Sequence, residues 1–191
     1  MKFLKKKYQN DGYIKLKNFT SKDKKFKKIS LSLNRELESA IKKTTINKLG
    51  GYIIGNLNVY PGKYGFQILN ILKKNGLNKI IKDITGKNLN SFDILFGGNL
   101  SLPDKFNQHF HTDGDFNDKM ILINIATSDV NLNSGPTEIV LKSHQKNLKY
   151  WEFLFQKKKF KRLKLSFGDL IIRSHYLWHR GTINKSGKNR F

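Results

Sequence analysis

Apolar positions along the chain follow two different periods, and the change falls near residue 90. Ile14, Lys15, Leu16 and Lys17 alternate apolar and polar, the period of a short strand. Thr20 or Ser21 then stands where a helix cap is expected, ahead of a lysine-rich stretch carrying Phe26, Ile29 and Leu33 at helical spacing. Gly50-Gly51 breaks this pattern, and residues 52–60 read as one strand stopped by Pro61-Gly62. Phe66, Leu69, Ile71, Leu72, Leu77, Ile80 and Ile81 support one or two further helices that end near Gly86. From about Ser91 the pattern changes to short strand-like runs at 92–96, 106–111, 120–126, 137–141, 163–167 and 170–178, most of them separated by Gly, Asn, Asp or Pro. Residues 147–160, with Leu148, Trp151, Leu154 and Phe155, form one helical interruption. Many short strands behind a helical lead-in predict a mainly β (α+β) fold, a barrel or jelly roll with flanking N-terminal helices. There is no internal repeat and no long linker. The expected organisation is a single domain over 1–191, with 1–90 as the helical flank with the first strands and 91–191 as the core.

Composition narrows the chemistry. At 191 residues and 38% hydrophobic content the chain can bury a sizeable core. It contains no cysteine, which excludes disulfides, thiolate-held zinc, iron–sulfur clusters and thiol nucleophiles. Any metal must be held by His and carboxylate. The basic start, Lys2 to Lys7, leads into Tyr8-Gln9-Asn10-Asp11 and lacks the apolar run of a secretory signal. No stretch has the length of a membrane span, and a cytoplasmic location is expected.

The net charge of +23 suggests nucleic acid or an anionic surface as a partner. However, 32 of the 37 basic residues are Lys, spread from Lys2 to Lys188, and only five are Arg, the better reader of bases and phosphates. A solvated basic surface is therefore the favoured reading and a nucleic-acid partner is not expected. A basic β-barrel module that binds a polyanion without catalysis is the alternative.

Two segments carry candidate chemistry. The first is Gln108-His109-Phe110-His111-Thr112-Asp113-Gly114-Asp115, and the second runs from Gly168-Asp169 through His179 to Arg190. Residues i and i+2 of a strand project from one face, so His111 and Asp113 can reach a single ion. His179, on a later strand, is the natural third ligand. Two imidazoles and one carboxylate on one face of an octahedral Fe(II) leave positions open for a chelating 2-oxoacid and for oxygen. His109 shares the face of His111, and His175 precedes His179 by four residues, so both are rival ligands on spacing alone. Arg190 lies eleven residues after His179, across a polar, Gly-containing turn, and could grip a carboxylate through a bidentate fork. Asp115 and Asp118 are expected as loop carboxylates near the mouth of the site, and Trp178 and Trp151 as core residues.

These motifs resemble the phytanoyl-CoA dioxygenase family of Fe(II)/2-oxoglutarate oxygenases. The resemblance rests on His111-Thr112-Asp113, Gly135-Pro136-Thr137 followed by Ser143-His144, Gly168-Asp169, and His179 to Arg190 with Asn184 midway. Asp11-Gly12-Tyr13 also looks like the family's opening strand. The family usually has Pro-Gly before the Ser-His, where this chain has Leu141-Lys142. Its members continue past the Arg into another strand, where only Phe191 follows here, so the roll is expected to be cut short or closed differently.

The resemblance implies a double-stranded β-helix, one Fe(II) on His111, Asp113 and His179, and 2-oxoglutarate as co-substrate. The family spacing favours His111 over His109, and the placing of Arg190 favours His179 over His175. Arg190 is expected to hold the distal carboxylate of 2-oxoglutarate, with Thr182 beside it and Asn124 as a further cofactor contact. His144 is expected to be a turn or packing histidine. The implied partners are a small-molecule substrate and molecular oxygen. Asp113 favours a hydroxylase, because halogenating relatives lack that carboxylate.

Overall fold

The computed structural model describes residues 2–45, 48–117 and 119–191. Asp118, expected near the mouth of the site, lies outside the described residues. The element order is α1 (Lys2–Asp11), β1 (Tyr13–Leu16), α2 (Lys24–Lys43), β2 (Gly51–Ile53), β3 (Asn56–Val59), α3 (Lys63–Lys74), α4 (Leu77–Thr85), β4 (Gly98–Ser101), β5 (Ile121–Ile125), β6 (Thr137–Val140), α5 (Tyr150–Phe155), β7 (Phe160–Arg162), β8 (Leu170–Ser174) and β9 (His179–Gly181).

The strands form three antiparallel sheets with orders β1-β8-β5, β2-β3-β4 and β7-β6-β9. Tyr13 and Ile171 from the first sheet pack with Ile139 and Leu163 from the region of the third, so these two sheets face each other across a shared core. The helices cover the outer face of the first sheet: Ile14, Leu170 and Ile172 pack against Phe26 and Leu33 of α2, Ile68 and Leu72 of α3, and Leu77 and Ile81 of α4. The fold is a jelly roll with helices outside it. Strand β8 reads as a near-continuous apolar run because it is covered on both faces, by helices on one side and by the opposing sheet on the other.

Several elements differ from the sequence expectation. The cap of α2 is Asp23, not Thr20 or Ser21; its carboxylate accepts from the amides of Lys25 and Phe26 at 2.8 and 2.9 Å. Residues 52–60 do not form one strand but a hairpin, β2 and β3, turning at Ile54 and Gly55 with φ of 40° and 72°. Residues 92–96 form no strand, and 106–111 and 163–167 pair only at isolated bridges such as His111 with His179 and Val130 with Leu165. The helix expected over 147–160 is only α5, because Phe160 to Arg162 leave it to pair with β6. Trp178 is core, stacked on Phe153 at 4.0 Å with an interplanar angle of 5°, whereas Trp151 is 58% exposed.

The turn into β8 sets where the later site residues fall. Gly168 has φ of +79°, and a Cβ there would lie 2.4 Å from the amide nitrogen of Ser21. Next to it, the buried Asp169 carboxylate accepts from the amides of Asn18 and Ser166 and pairs with Lys15 at 2.8 Å. The Gly168-Asp169 motif is therefore a tie between the turn before β8 and the segment after β1.

Candidate metal centre

His111 and His179 sit directly across an antiparallel bridge, exchanging N–H···O bonds of 2.9 Å in both directions. Opposite residues of such a pair project to one side, and their rings lie 4.4 Å apart between centroids. Two residues on, the Asp113 amide donates to the carbonyl of His175 at 2.9 Å, which fixes the Asp113 backbone beside the turn between β8 and β9. One ligand atom from each of His111, Asp113 and His179 falls within 4.8 Å of the others, a group that could hold a metal ion.

The donor set suits Fe(II). Each imidazole turns Nδ1 to a backbone carbonyl, His111 to His109 and His179 to Leu177, both at 2.9 Å. A nitrogen facing a carbonyl must carry the proton, so the lone pair is left on Nε2. Burial pushes the His179 imidazole down to about 3, helped by the neighbouring Arg173, so it stays neutral and able to donate. Burial opposes ionisation of Asp113, but Arg173, His179 and His111 outweigh it and hold the carboxyl below its ordinary range. Two neutral imidazoles and one carboxylate are the ligand states a divalent iron needs.

The rival histidines lie outside the His111, Asp113 and His179 group. The exposed His109 lines the same cavity, and its carbonyl accepts from Nδ1 of His111. His175 places its two ring nitrogens 2.8 and 2.9 Å from the carbonyls of Met120 and Asp115, tying down the loop that follows Asp113. His144 bonds the carbonyl of Gln9 at 3.0 Å, a packing role.

A cavity of about 1040 Å³ reaches the three candidate ligands, and Asn124, Arg173 and Arg190 also line it. Arg190 is held by its backbone, which exchanges two bonds with Ser101, and by its side chain, which donates to the carbonyls of Ser134 and Gly135 at 3.1 and 2.8 Å. Burial pulls its guanidinium down to about 10, still protonated at neutral pH. Among the described residues no carboxylate pairs with it. A half-buried cation with only carbonyl partners, on the wall of a cavity, fits an incoming carboxylate. Asn184 makes this placement: its amide donates to Ser101 and Lys188 at 2.8 Å each, folding the 184–190 loop back to β4. The roll is thus closed by an Arg190–Ser101 pairing, with Phe191 packed near Leu57 and Leu100.

Asn124 faces the cavity from β5, and its Oδ1 lies 3.4 Å from Nε of Arg173. Thr182 is buried and gives its hydroxyl to the Pro136 carbonyl at 2.6 Å; it is not among the residues lining the cavity. Two residues that sequence reasoning did not single out are present at the site. Arg173 lies 2.7 Å from the Asp113 carboxylate, and Gln108 accepts from the Gly181 amide at 2.8 Å while lining the cavity. The signal for Arg173 was a lone cation inside the apolar run Leu170 to Ser174, at an inward position of a period-two strand.

The family model described as phytanoyl-CoA dioxygenase (PhyH) matches residues 81–191. The chain belongs to the phytanoyl-CoA dioxygenase family. It is accordingly a non-haem Fe(II)/2-oxoglutarate-dependent enzyme, with iron and 2-oxoglutarate as its cofactors. No curated protein matches it. Among solved structures, the non-heme alpha-ketoglutarate-dependent carbocyclase SnoK from nogalamycin biosynthesis superposes with a TM-score of 0.71 at 13% identity, over 100% of this chain and 80% of that one. The alpha-ketoglutarate-dependent epimerase SnoN from the same pathway gives 0.63 at 16%, over 98% and 78%. AviO1 from Streptomyces viridochromogenes Tue57 gives 0.70 at 13%, over 98% and 90%. At these identities the likeness is one of fold. No helix among the described residues is long and apolar enough to cross a membrane.

Proposed function

We propose that the enzyme hydroxylates a small-molecule substrate, with His111, Asp113 and His179 holding the iron and Arg190 holding the distal carboxylate of 2-oxoglutarate. The balance is 2-oxoglutarate, O2 and R–H to succinate, CO2 and R–OH. Bound Fe(II) would supply the oxygen activation and the one-electron chemistry of C–H cleavage. The residues of this chain do the rest. Hydrogen bonds from Nδ1 aim both imidazoles, Arg173 keeps Asp113 ionised, and the Arg190 fork orients the co-substrate along the cavity wall.

The observation that carries this reading is the pairing of a His-Asp-His cluster with a half-buried Arg190, without a carboxylate partner among the described residues, on one cavity. Asp113 supports hydroxylation over halogenation, since its carboxylate occupies the position that a halide would need. Asn124 and Thr182 are proposed as further contacts of the cofactor region, Asn124 directly and Thr182 through the Pro136 carbonyl that it anchors. The whole of 1–191 acts as one catalytic domain in the cytoplasm.

The test is incubation with Fe(II), 2-oxoglutarate and oxygen, reading succinate, followed by mass spectrometry of candidate substrates. A product mass raised by one oxygen supports hydroxylation. A product that has lost two hydrogens or kept its mass, as in a cyclisation or an epimerisation, would refute it, and absence of succinate would refute the enzyme reading itself.

A further inference from the structure

A second surface lies on the outer side of the sheet that carries His179. Helix α5 buries Phe153 against Trp178, while Trp151, Leu154 and Phe155, three and four residues apart, share the opposite face at 58%, 50% and 86% exposure. Tyr150 and Phe160 add 45% and 49% exposure beside them. Five large apolar side chains are thus left to solvent within eleven consecutive residues, where an ordinary surface scatters them singly.

The charges around this face are one-sided. Between residues 142 and 164 there are nine Lys and Arg and a single acid, Glu152, whose carboxylate accepts from the Lys149 amide at 2.7 Å. Lys146, Lys149, Lys157, Lys159, Lys161 and Lys164 are exposed. Arg162, the one guanidinium of the segment, pairs with Glu138.

We propose that this face docks on an anionic lipid surface, with Trp151, Leu154 and Phe155 entering the headgroup boundary and the surrounding lysines meeting lipid phosphates. Exposed Trp, Tyr and Phe ringed by Lys on a short amphipathic helix is the composition of an interfacial anchor. A second copy of the chain fits poorly, because joining two faces of like charge on a protein of net charge +23 is repulsive. Single-stranded nucleic acid fits less well than lipid, because the outward residues include an aliphatic Leu and the basic set is Lys rather than Arg. The docking face reaches the metal centre through two side chains: Phe110, next to His111, lies 5.4 Å from Phe160 and 5.5 Å from Phe153 between ring centroids, and Trp178, next to His179, stacks on Phe153 at 4.0 Å. The inference does not depend on which reaction the enzyme catalyses.

The experiment is co-sedimentation of the full chain with vesicles of phosphatidylcholine alone, or mixed with phosphatidylglycerol at about three to one. Wild type is expected to bind the mixed vesicles and not the neutral ones, with a blue shift of tryptophan emission; Trp178 is already buried, so the shift reports Trp151. Trp151→Ser combined with Phe155→Ser leaves the net charge unchanged and should weaken binding at least about tenfold. Unchanged far-ultraviolet circular dichroism shows that the variant is folded. Equal vesicle binding by wild type and variant would overturn the proposal in favour of diffuse charge. No vesicle binding by wild type would overturn it too, as would patch-dependent binding of a poly(U) oligonucleotide or patch-dependent self-association without vesicle binding.

Discussion

Replacing Arg190 by alanine separates the two jobs that its side chain holds. In the folded chain the guanidinium donates to the carbonyls of Ser134 and Gly135, so its loss leaves two partly buried acceptors without a donor, a cost of about 1–3 kcal/mol in stability. Its second job is the proposed fork on the distal carboxylate of 2-oxoglutarate. Truncating one partner of a desolvated, hydrogen-bonded charge pair costs about 2–4 kcal/mol, which is about 30- to 1000-fold in Kd. Arg190→Lys keeps the charge but not the fork and should fall between wild type and alanine. The assay is anaerobic calorimetric titration of Fe(II)-loaded protein, first with 2-oxoglutarate and then with 2-oxobutyrate, which chelates through the same 2-oxoacid head but has no distal carboxylate. Wild type should prefer 2-oxoglutarate strongly, and Arg190→Ala should lose that preference while binding 2-oxobutyrate as before. Equal weakening of both ligands would mean that Arg190 shapes the cavity without contacting the carboxylate, and an undiminished preference would refute the assignment outright.

Three further outcomes follow from the same geometry. Asp113→Asn removes the only carboxylate of the cluster, and Fe(II) affinity should drop by at least about 100-fold in a competition assay with a chelating dye, while the unfolding midpoint of the metal-free protein also falls because the buried Arg173 loses its charged partner. Asp169 is held below the ordinary carboxylate range: burial opposes its charge, but Lys15 and the amides of Ser166 and Asn18 more than offset this. Between the two pKa values the unfolded chain binds the extra proton, so this stabilisation is present above the ordinary value of 3.8 and is lost as pH falls through the lower folded value. Urea denaturation should show Asp169→Asn about 1.5–3 kcal/mol less stable at pH 7, with the gap to wild type narrowing below pH about 4. Gly168→Ala would place a Cβ 2.4 Å from the Ser21 nitrogen at a left-handed φ, and thermal unfolding should report a loss of about 2–4 kcal/mol.

The sequence was readable where one physical rule acted alone. The jelly roll and its outer helices follow from the change of period near residue 90, and β5, β6 and α4 lie where the pattern put them. It misled where two rules gave the same letters. Residues 156–159 are polar and mark no end to the helical pattern of Leu154 and Phe155, and only the ladder from Glu138 to Val140 decides that Phe160 is on a strand. Residues 92–96 look like a strand because apolar side chains recur, but Phe96 packs on Phe66 at 4.7 Å and Ile94 and Leu95 line the cavity, with no ladder beneath them. Helix α1 was hidden by its lysines, since little of its surface is apolar enough to show a face. At the site, His111, Asp113 and His179 could be proposed from spacing and resemblance, but Arg173 could not, because its meaning depends on a contact made across sixty residues of chain.

That contact changes how the centre is understood. A cation 2.7 Å from the Asp113 carboxylate would weaken the pull of that carboxylate on the metal proposed there, since part of the negative charge is already compensated. The same cation keeps Asp113 ionised and helps burial keep His179 neutral, so protons are poor competitors for both ligands. Arg173 therefore trades some electrostatic affinity for ligands that need not lose a proton before the metal enters. Its position is not adjustable by a loop: Arg173 lies opposite Tyr13 in β1 and Leu122 in β5, the middle strand of three. Of the proposed metal ligands, by contrast, His179 opens β9, His111 meets it at an isolated bridge and Asp113 lies in the loop beyond, while Arg190 comes from a loop closed by Asn184. The proposed centre thus has its charge-setting residue on the middle strand of one sheet and its candidate binding residues on β9 and the segments that meet it.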